Sequence, residues 1–284
     1  MVQRAFRLCF SLLFLSLISW GIPNGVAAQA DSCGMGFKVH RVASKHLGET
    51  RDFWVSLPYD YSDTNAYRVL YVLDAEWRFD LVRLLEFDQS ANGLIDPHIV
   101  VGIPHVEWEV KRQKDLSFSQ SRMEYDGEPV DSTWYNVRNA GGAEAFYRYL
   151  TQEVMPQVEA LYATNGHNSL LGHSMGGYFG GYLLSRPQPF STLYLYDPSA
   201  WYSDGEMSRV LGNGLGSKQK VQVVVTYQPI PAFHKSKVEE FITTVEQFEA
   251  IELHTKMYAQ ESHNSLFLPS FYWCLQLLRE ERSP

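Results

Sequence analysis

Cysteine is scarce in this chain: Cys9, Cys33 and Cys274 are the three it has in 284 residues. That excludes a disulfide-framed fold, and no pair of Cys or His residues has the spacing of zinc ligands. Cys33 and Cys274 leave two readings open, a single disulfide or two free thiols, and neither has the neighbours of a catalytic thiol. Basic residues are also short, with 24 Lys and Arg against 32 Asp and Glu and a formal charge of −8. Such a balance argues against a nucleic acid or an anionic membrane as partner. Internal repeats and low-complexity tracts are lacking. So is an apolar run comfortable for crossing a bilayer.

What apolar run there is lies at the start. Arg4 and Arg7 precede an apolar stretch over residues 8–18, and Ala28-Gln29-Ala30 has the small-residue pattern of a cleavage site. The three parts in that order are a secretory signal peptide, predicting export to the periplasm or beyond and a mature chain from Asp31. Cys33 lacks the lipobox of a lipoprotein. Cleavage leaves 22 basic against 32 acidic residues, a net −10. The remaining residues, 31–284, suit a single domain.

One stretch organises that domain. Leu170-Leu171-Gly172-His173-Ser174-Met175-Gly176-Gly177 contains G-x-S-x-G, in which a strand turns sharply into a helix with a serine at the apex. Gly172 and Gly176 are expected to make room for the crossing, where a Cβ would clash. Met175 then opens a helix, and its backbone N–H can point at a developing oxyanion.

The surrounding pattern alternates strands with helices. Residues 35–42 and 50–57 read as an antiparallel start. Continuous apolar runs at 68–73, 98–103, 168–172, 191–196 and 220–227 read as strands buried on both faces, with 252–258 as the last. Helices are expected over 79–87, from Gly141-Gly142 to Val158, and over 176–185, 236–249 and 266–279. Residues 105–140 are aperiodic, polar and aromatic, with Trp108, Tyr125, Trp134 and Tyr135. An aperiodic segment of that length suits a lid or substrate wall. The whole predicts an α/β fold, a mostly parallel sheet with helices on both faces.

Ser174, Asp197 and His263 each fall just past the carboxyl end of a predicted strand, where such sheets bind ligands. Their order, Ser then acid then His, is that of the α/β-hydrolases. The chemistry expected is two-step acyl transfer, with His263 as base to Ser174 and no metal or cofactor. Asp197 is the candidate acid, against a reading as a turn-capping residue before Pro198. Among other histidines, His234 is the rival base, His98 is structural, and His173 is expected to point away from Ser174. Glu239 and Glu240 read as a solvated helix face. Arg112 and Asp115 are expected to pair and brace the long segment, and Lys111, Arg112 and Lys114 form its one dense basic run. Trp77, Trp134 and Trp201 are candidate pocket walls.

Five stretches carry a likeness to a known family. They are Val69 to Trp77, Arg112 to Leu116, the serine elbow, Pro198-Ser199-Ala200-Trp201, and Glu261-Ser262-His263-Asn264-Ser265. They are similar to the strand with L-D-G, R-x-x-D-L, G-H-S-M/L-G-G, P-S-x-W and the catalytic His segment of the esterase-D-type branch of the α/β-hydrolases. The resemblance spans roughly residues 38–280 and lies nearest the siderophore-esterase-like members. It implies an ester or thioester hydrolase acting on a small molecule, with the backbone N–H of Glu76 as the second oxyanion donor. Ala75 departs from the family's Gly. The loop after Tyr227 also lacks the carboxylate usual there, which leaves a Ser–His dyad open beside the triad. An acyltransferase using the same site and an inactive exported binding protein are the alternatives.

Overall fold

The computed structural model describes residues 36–131 and 133–282. The proposed signal peptide and Cys33 lie outside the described residues. Eight strands form one sheet in the order β1-β2-β4-β3-β5-β6-β7-β8. They are β1 (Lys38–Ser44), β2 (Glu49–Ser56), β3 (Tyr67–Leu73), β4 (His98–Ile103), β5 (Thr164–His173), β6 (Phe190–Tyr196), β7 (Val221–Tyr227) and β8 (Ile251–Met257). β2 is antiparallel to both its neighbours, and every other pairing is parallel. This is the α/β-hydrolase fold expected.

Side-chain alternation explains the two-sided burial. Val69, Tyr71 and Leu73 of β3 face one core, and Leu70 and Val72 face the other. The first core is closed by Phe146 of α3 (Ala143–Tyr149), Val158 of α4 (Met155–Leu161), Phe179 of α5 (Met175–Leu183), Met207 of α6 (Glu206–Gly212) and Phe241 of α7 (Ala232–Val245). The second is closed by Phe79 and Val82 of α1 (Ala75–Ala91) and by Phe271 and Leu275 of α8 (Phe267–Arg282). Among the described residues, no helix is long and apolar enough to cross a membrane.

Three elements depart from expectation. α1 begins at Ala75, directly after β3, and α6 carries no clear sequence signal. The aperiodic segment holds a helix, α2 (Trp108–Leu116). Of its residues only Asp115 and Leu116 are buried, so there is no apolar stripe to read. It is held by ion pairs instead, described below. The rest of the segment is tethered through Tyr202, whose hydroxyl donates to Ser119 O at 2.9 Å and accepts from Ser121 N at 3.2 Å.

Because β4 and β5 flank β3, the chain reverses its direction of travel across the sheet there. A crevice opens at such a switch point, outside the carboxyl ends of the strands. Asp74, Ser174 and Asp197 follow β3, β5 and β6 at that end.

Candidate active site

Ser174 sits between β5 and α5 with φ 60° and ψ −120°. That strained backbone is held from several sides. Ser174 N donates to Tyr196 O, and Ser174 O accepts from Ser199 N and Tyr178 N, each at 3.0 Å. A Cβ on Gly172 would lie 2.2 Å from Gly176 O, so the crossing requires glycine there. Gly176 is different: a Cβ would meet its nearest neighbours at 3.5 Å, ordinary contact. The second tight position is Gly177, where a Cβ would come within 2.9 Å of Pro198 Cα. The Ser174 hydroxyl lies 3.4 Å from Ser199 Oγ.

Asp197 and His263 are in direct contact. His263 Nδ1 is 2.6 Å from Asp197 Oδ2. With Nδ1–H donated to a carboxylate, the neutral ring keeps an unprotonated Nε2. Asp197 is fully buried, and its other oxygen accepts from Gln228 N at 3.1 Å and from His234 Nε2 at 2.9 Å. Gln228 Nε2 lies 3.3 Å from Oδ2. Burial pushes the carboxyl up, but the hydrogen bonds from His234 and His263 outweigh it and hold it well below the ordinary carboxylate range. The loop after β7 thus carries no acid, as the sequence reads, and the carboxylate facing His263 comes from the end of β6.

The His173 side chain is turned towards the segment that bears His263. Its Nε2 donates to His263 O at 2.7 Å, its ring lies 4.5 Å from the His263 ring, and Arg78 Nη2 donates to its Nδ1 at 3.3 Å. Burial first, then the nearby His263 and Arg78, pushes its pKa down to about 3. An imidazole kept neutral near pH 7 here props the segment bearing His263. The signal available for it was only its place inside the elbow.

Arg112 and Asp115 do not pair with each other. Arg112 grips Asp74 through Nε at 2.5 Å and Nη2 at 2.9 Å. Asp115 takes Arg51 through Nη1 at 2.8 Å and Nη2 at 3.2 Å, and His105 Nδ1 at 2.9 Å. Spaced three apart on α2, the two residues pull on different elements and dock the helix through its middle and its C-terminal turn. Lys111 pairs with Glu49. The basic run is therefore largely neutralised. The cation left to the site is Arg78, which stacks 4.2 Å from the Phe267 ring and, among the described residues, has no carboxylate within ion-pair distance. Burial pulls its guanidinium down from the ordinary value, against the pull of Asp74.

Two cavities meet at Ser174 and His263. The larger, about 470 Å³, is walled by Trp77, Arg78, Trp108, Arg112 and His173. Trp77 and Trp108 stand on its rim with ring centroids 5.8 Å apart, and Trp77 is 66% exposed. The smaller, about 310 Å³, is walled by Tyr125, Ser199, Trp201, Gln228, Ile230 and His234. Trp134 lines neither cavity: it is exposed, in a turn whose backbone bonds to Asp131 O. Arg78 was missed by sequence reasoning, because nothing in its spacing links it to the elbow, whereas Trp108 and Tyr125 come from the aromatic segment expected to wall the site.

The candidate oxyanion donors are first-turn amides, Met175 of α5 and Glu76 of α1, where helices leave N–H groups without internal partners. The Glu76 carboxylate accepts the backbone N–H of His105 and also bonds its own backbone N–H. Among the described residues, no group of three or more His, Cys, Asp or Glu is gathered as metal ligands would be. Cys274 is a buried thiol that accepts a hydrogen bond from Tyr196 at 2.9 Å.

A serine elbow, an Asp–His pair and a crevice at the sheet's switch point are the parts of an α/β-hydrolase. The family model described as "Putative esterase" matches residues 44–264, and the chain belongs to that family of carboxylic ester hydrolases. It is similar to the ferri-bacillibactin esterase BesA of Bacillus subtilis (strain 168), 24% identical over 218 residues, covering 72% of this chain and 74% of that one. Among solved structures, the IroE-like serine hydrolase of Shewanella oneidensis aligns with a TM-score of 0.76 and 25% identity, over 87% of this chain and 81% of that one. The BES protein of Bacillus cereus aligns at 0.71 and 20%, over 88% and 97%, a likeness of fold.

Proposed function

We propose that this esterase works by a Ser174–His263–Asp197 triad. The observation that carries the reading is the 2.6 Å contact between His263 Nδ1 and Asp197 Oδ2, beside a serine held at a strained elbow. Asp197 fixes the tautomer of His263, whose Nε2 takes the Ser174 proton as Oγ attacks the ester carbonyl. The oxyanion is met by the N–H groups of Met175 and Glu76, the latter turning from its own carboxylate. His263 protonates the leaving alcohol, then activates the water that releases the acid and regenerates Ser174.

The substrate is an ester with an aromatic portion, and siderophore-type esters fit that description. Trp77 and Trp108 offer flat faces at the mouth of the larger cavity. The mature chain carries −10 and repels anions at long range, but Arg78 puts a cation at the site itself. The names of the relatives, a ferri-bacillibactin esterase and an IroE-like hydrolase, point the same way. The basic start, the apolar stretch and Ala28-Gln29-Ala30 support export with a mature chain from Asp31. Mass spectrometry of the protein from its host checks this, and an intact Met1 end on soluble protein would refute it.

The test of the mechanism is Ser174→Ala. It should lose fluorophosphonate labelling and lower kcat on aryl esters by on the order of 10⁴–10⁶-fold. Activity within tenfold of wild type refutes the reading. For substrate, kcat/KM is compared across trilactone siderophores, aryl esters and short acyl esters. A hundredfold preference for small, polar aliphatic esters would defeat the aromatic-site argument.

A further inference from the structure

We infer that His234 is a positioning residue for the reaction: from α7 it holds one oxygen of Asp197 and so keeps the other oxygen aimed at His263. The inference rests on the Ser174–His263–Asp197 reading.

Asp197 has a short side chain on a backbone with φ 42°, at the very end of β6. The torsion that sets the plane of an Asp carboxylate is broad and roughly two-fold, so it does not fix that plane by itself. His263 needs the plane fixed, because its Nδ1–H must meet Oδ2 along a lone pair. The groups around the carboxylate supply the constraint. From β7 and its following loop, Thr226 O accepts the Asp197 N–H at 2.7 Å and Gln228 N donates to Oδ1. From α7, His234 Nε2 reaches the same Oδ1 at 2.9 Å. From the segment after β8 comes His263 itself, on Oδ2. His234 and His263 are the titratable groups facing Asp197, and they approach opposite oxygens. Gln228 Nε2 also reaches Oδ2, at 3.3 Å, so removing His234 leaves Oδ1 with a backbone donor alone and the plane held by Gln228 and His263 only, with more room to turn.

His234 is 3% exposed, yet its ring borders the smaller cavity. It is therefore placed to be replaced by another polar side chain without opening an apolar core. It also stands in the region after β7, on the side of the site from which the acid is absent. A hydrogen-bond donor there, and not an acid, leaves Asp197 as the sole carboxylate in contact with His263 among the described residues.

The experiment compares His234→Asn and His234→Gln in the full chain, each alone and with Asp197→Asn, by steady-state kinetics on one aryl ester across pH. Asn falls short of Oδ1, whereas Gln can reach it with an N–H. Expected for Asn is a kcat at least tenfold lower with KM within threefold, and an acid limb of kcat/KM moved to higher pH. The direction follows because a carboxylate that has lost a donor becomes more basic and raises the pKa of its partner His263. Gln should recover most of the loss. In the Asp197→Asn background, His234→Asn should add less than threefold, since both act through one group. A wild-type kcat and acid limb in His234→Asn overturns the inference, and so does a full additional loss in the Asp197→Asn background. If Asp197→Asn itself keeps wild-type kcat, the triad reading has failed instead. Should His234→Asn fail to fold, Gln decides: tenfold loss with a moved acid limb despite native melting behaviour would overturn the hydrogen-bond argument.

Discussion

Replacing Asp197 by Asn should disable the enzyme through a tautomer, and the surroundings say which way the amide turns. Oδ1 accepts from Gln228 N at 3.1 Å, and a backbone N–H can only donate. His234 Nε2 donates to the same atom. The single oxygen of Asn therefore takes that place, where the two donors are closer than Gln228 Nε2 is to Oδ2 at 3.3 Å. Its NH₂ group then occupies the position of Oδ2 and faces His263 Nδ1, which has to present a lone pair. The proton moves to Nε2, and the ring can no longer accept one from Ser174. In a triad of this kind the wrong tautomer costs about 10⁴ in kcat, or about 5 kcal/mol of transition-state stabilisation. Steady-state hydrolysis of 4-nitrophenyl acetate measures the loss, with thermal melting to show that the fold survives. A kcat within tenfold of wild type would mean that Asp197 does not orient His263, and the protein would then be a Ser–His dyad.

Three other outcomes follow from the same geometry. Gly172→Ala places a Cβ 2.2 Å from a backbone oxygen, so urea unfolding should show a loss of at least about 3 kcal/mol, the upper range for overpacking; a loss under 1 kcal/mol would mean the elbow relaxes. His173, with its pKa pushed down to about 3 by burial, stays neutral in the fold while the unfolded chain takes up a proton near pH 6.5. Stability should then fall as pH drops from about 6.5 towards 4, and His173→Gln should flatten that fall; identical slopes in urea midpoints would contradict it. Trp77→Ala removes one flat face from the cavity rim, and should lower kcat/KM on aryl esters by about tenfold, the scale of one aromatic contact; an equal loss on ethyl acetate would deny a stacking role.

The strand runs, the elbow and the chain order of Ser174, Asp197 and His263 were determined by the sequence alone. Each is a local consequence of residue type. Apolar runs have to be buried on both faces, a strand-to-helix crossing at Gly172 admits no Cβ, and residues after parallel strands gather at one end of the sheet. The tertiary structure decided what depends on residues far apart in the chain. Asp197 as the carboxylate on His263, rather than a turn cap or an acid after β7, follows from where β6, β7 and the segment after β8 converge. The helix over Trp108–Leu116 has no apolar stripe and is held by Asp74, Arg51 and His105, partners that periodicity cannot show. The same long-range packing made Arg78 a cavity wall, turned His173 towards His263 and left Trp134 outside. Side chains at helix spacing read out which face is buried, but which charge meets which across the sheet is fixed only when the strands have been ordered.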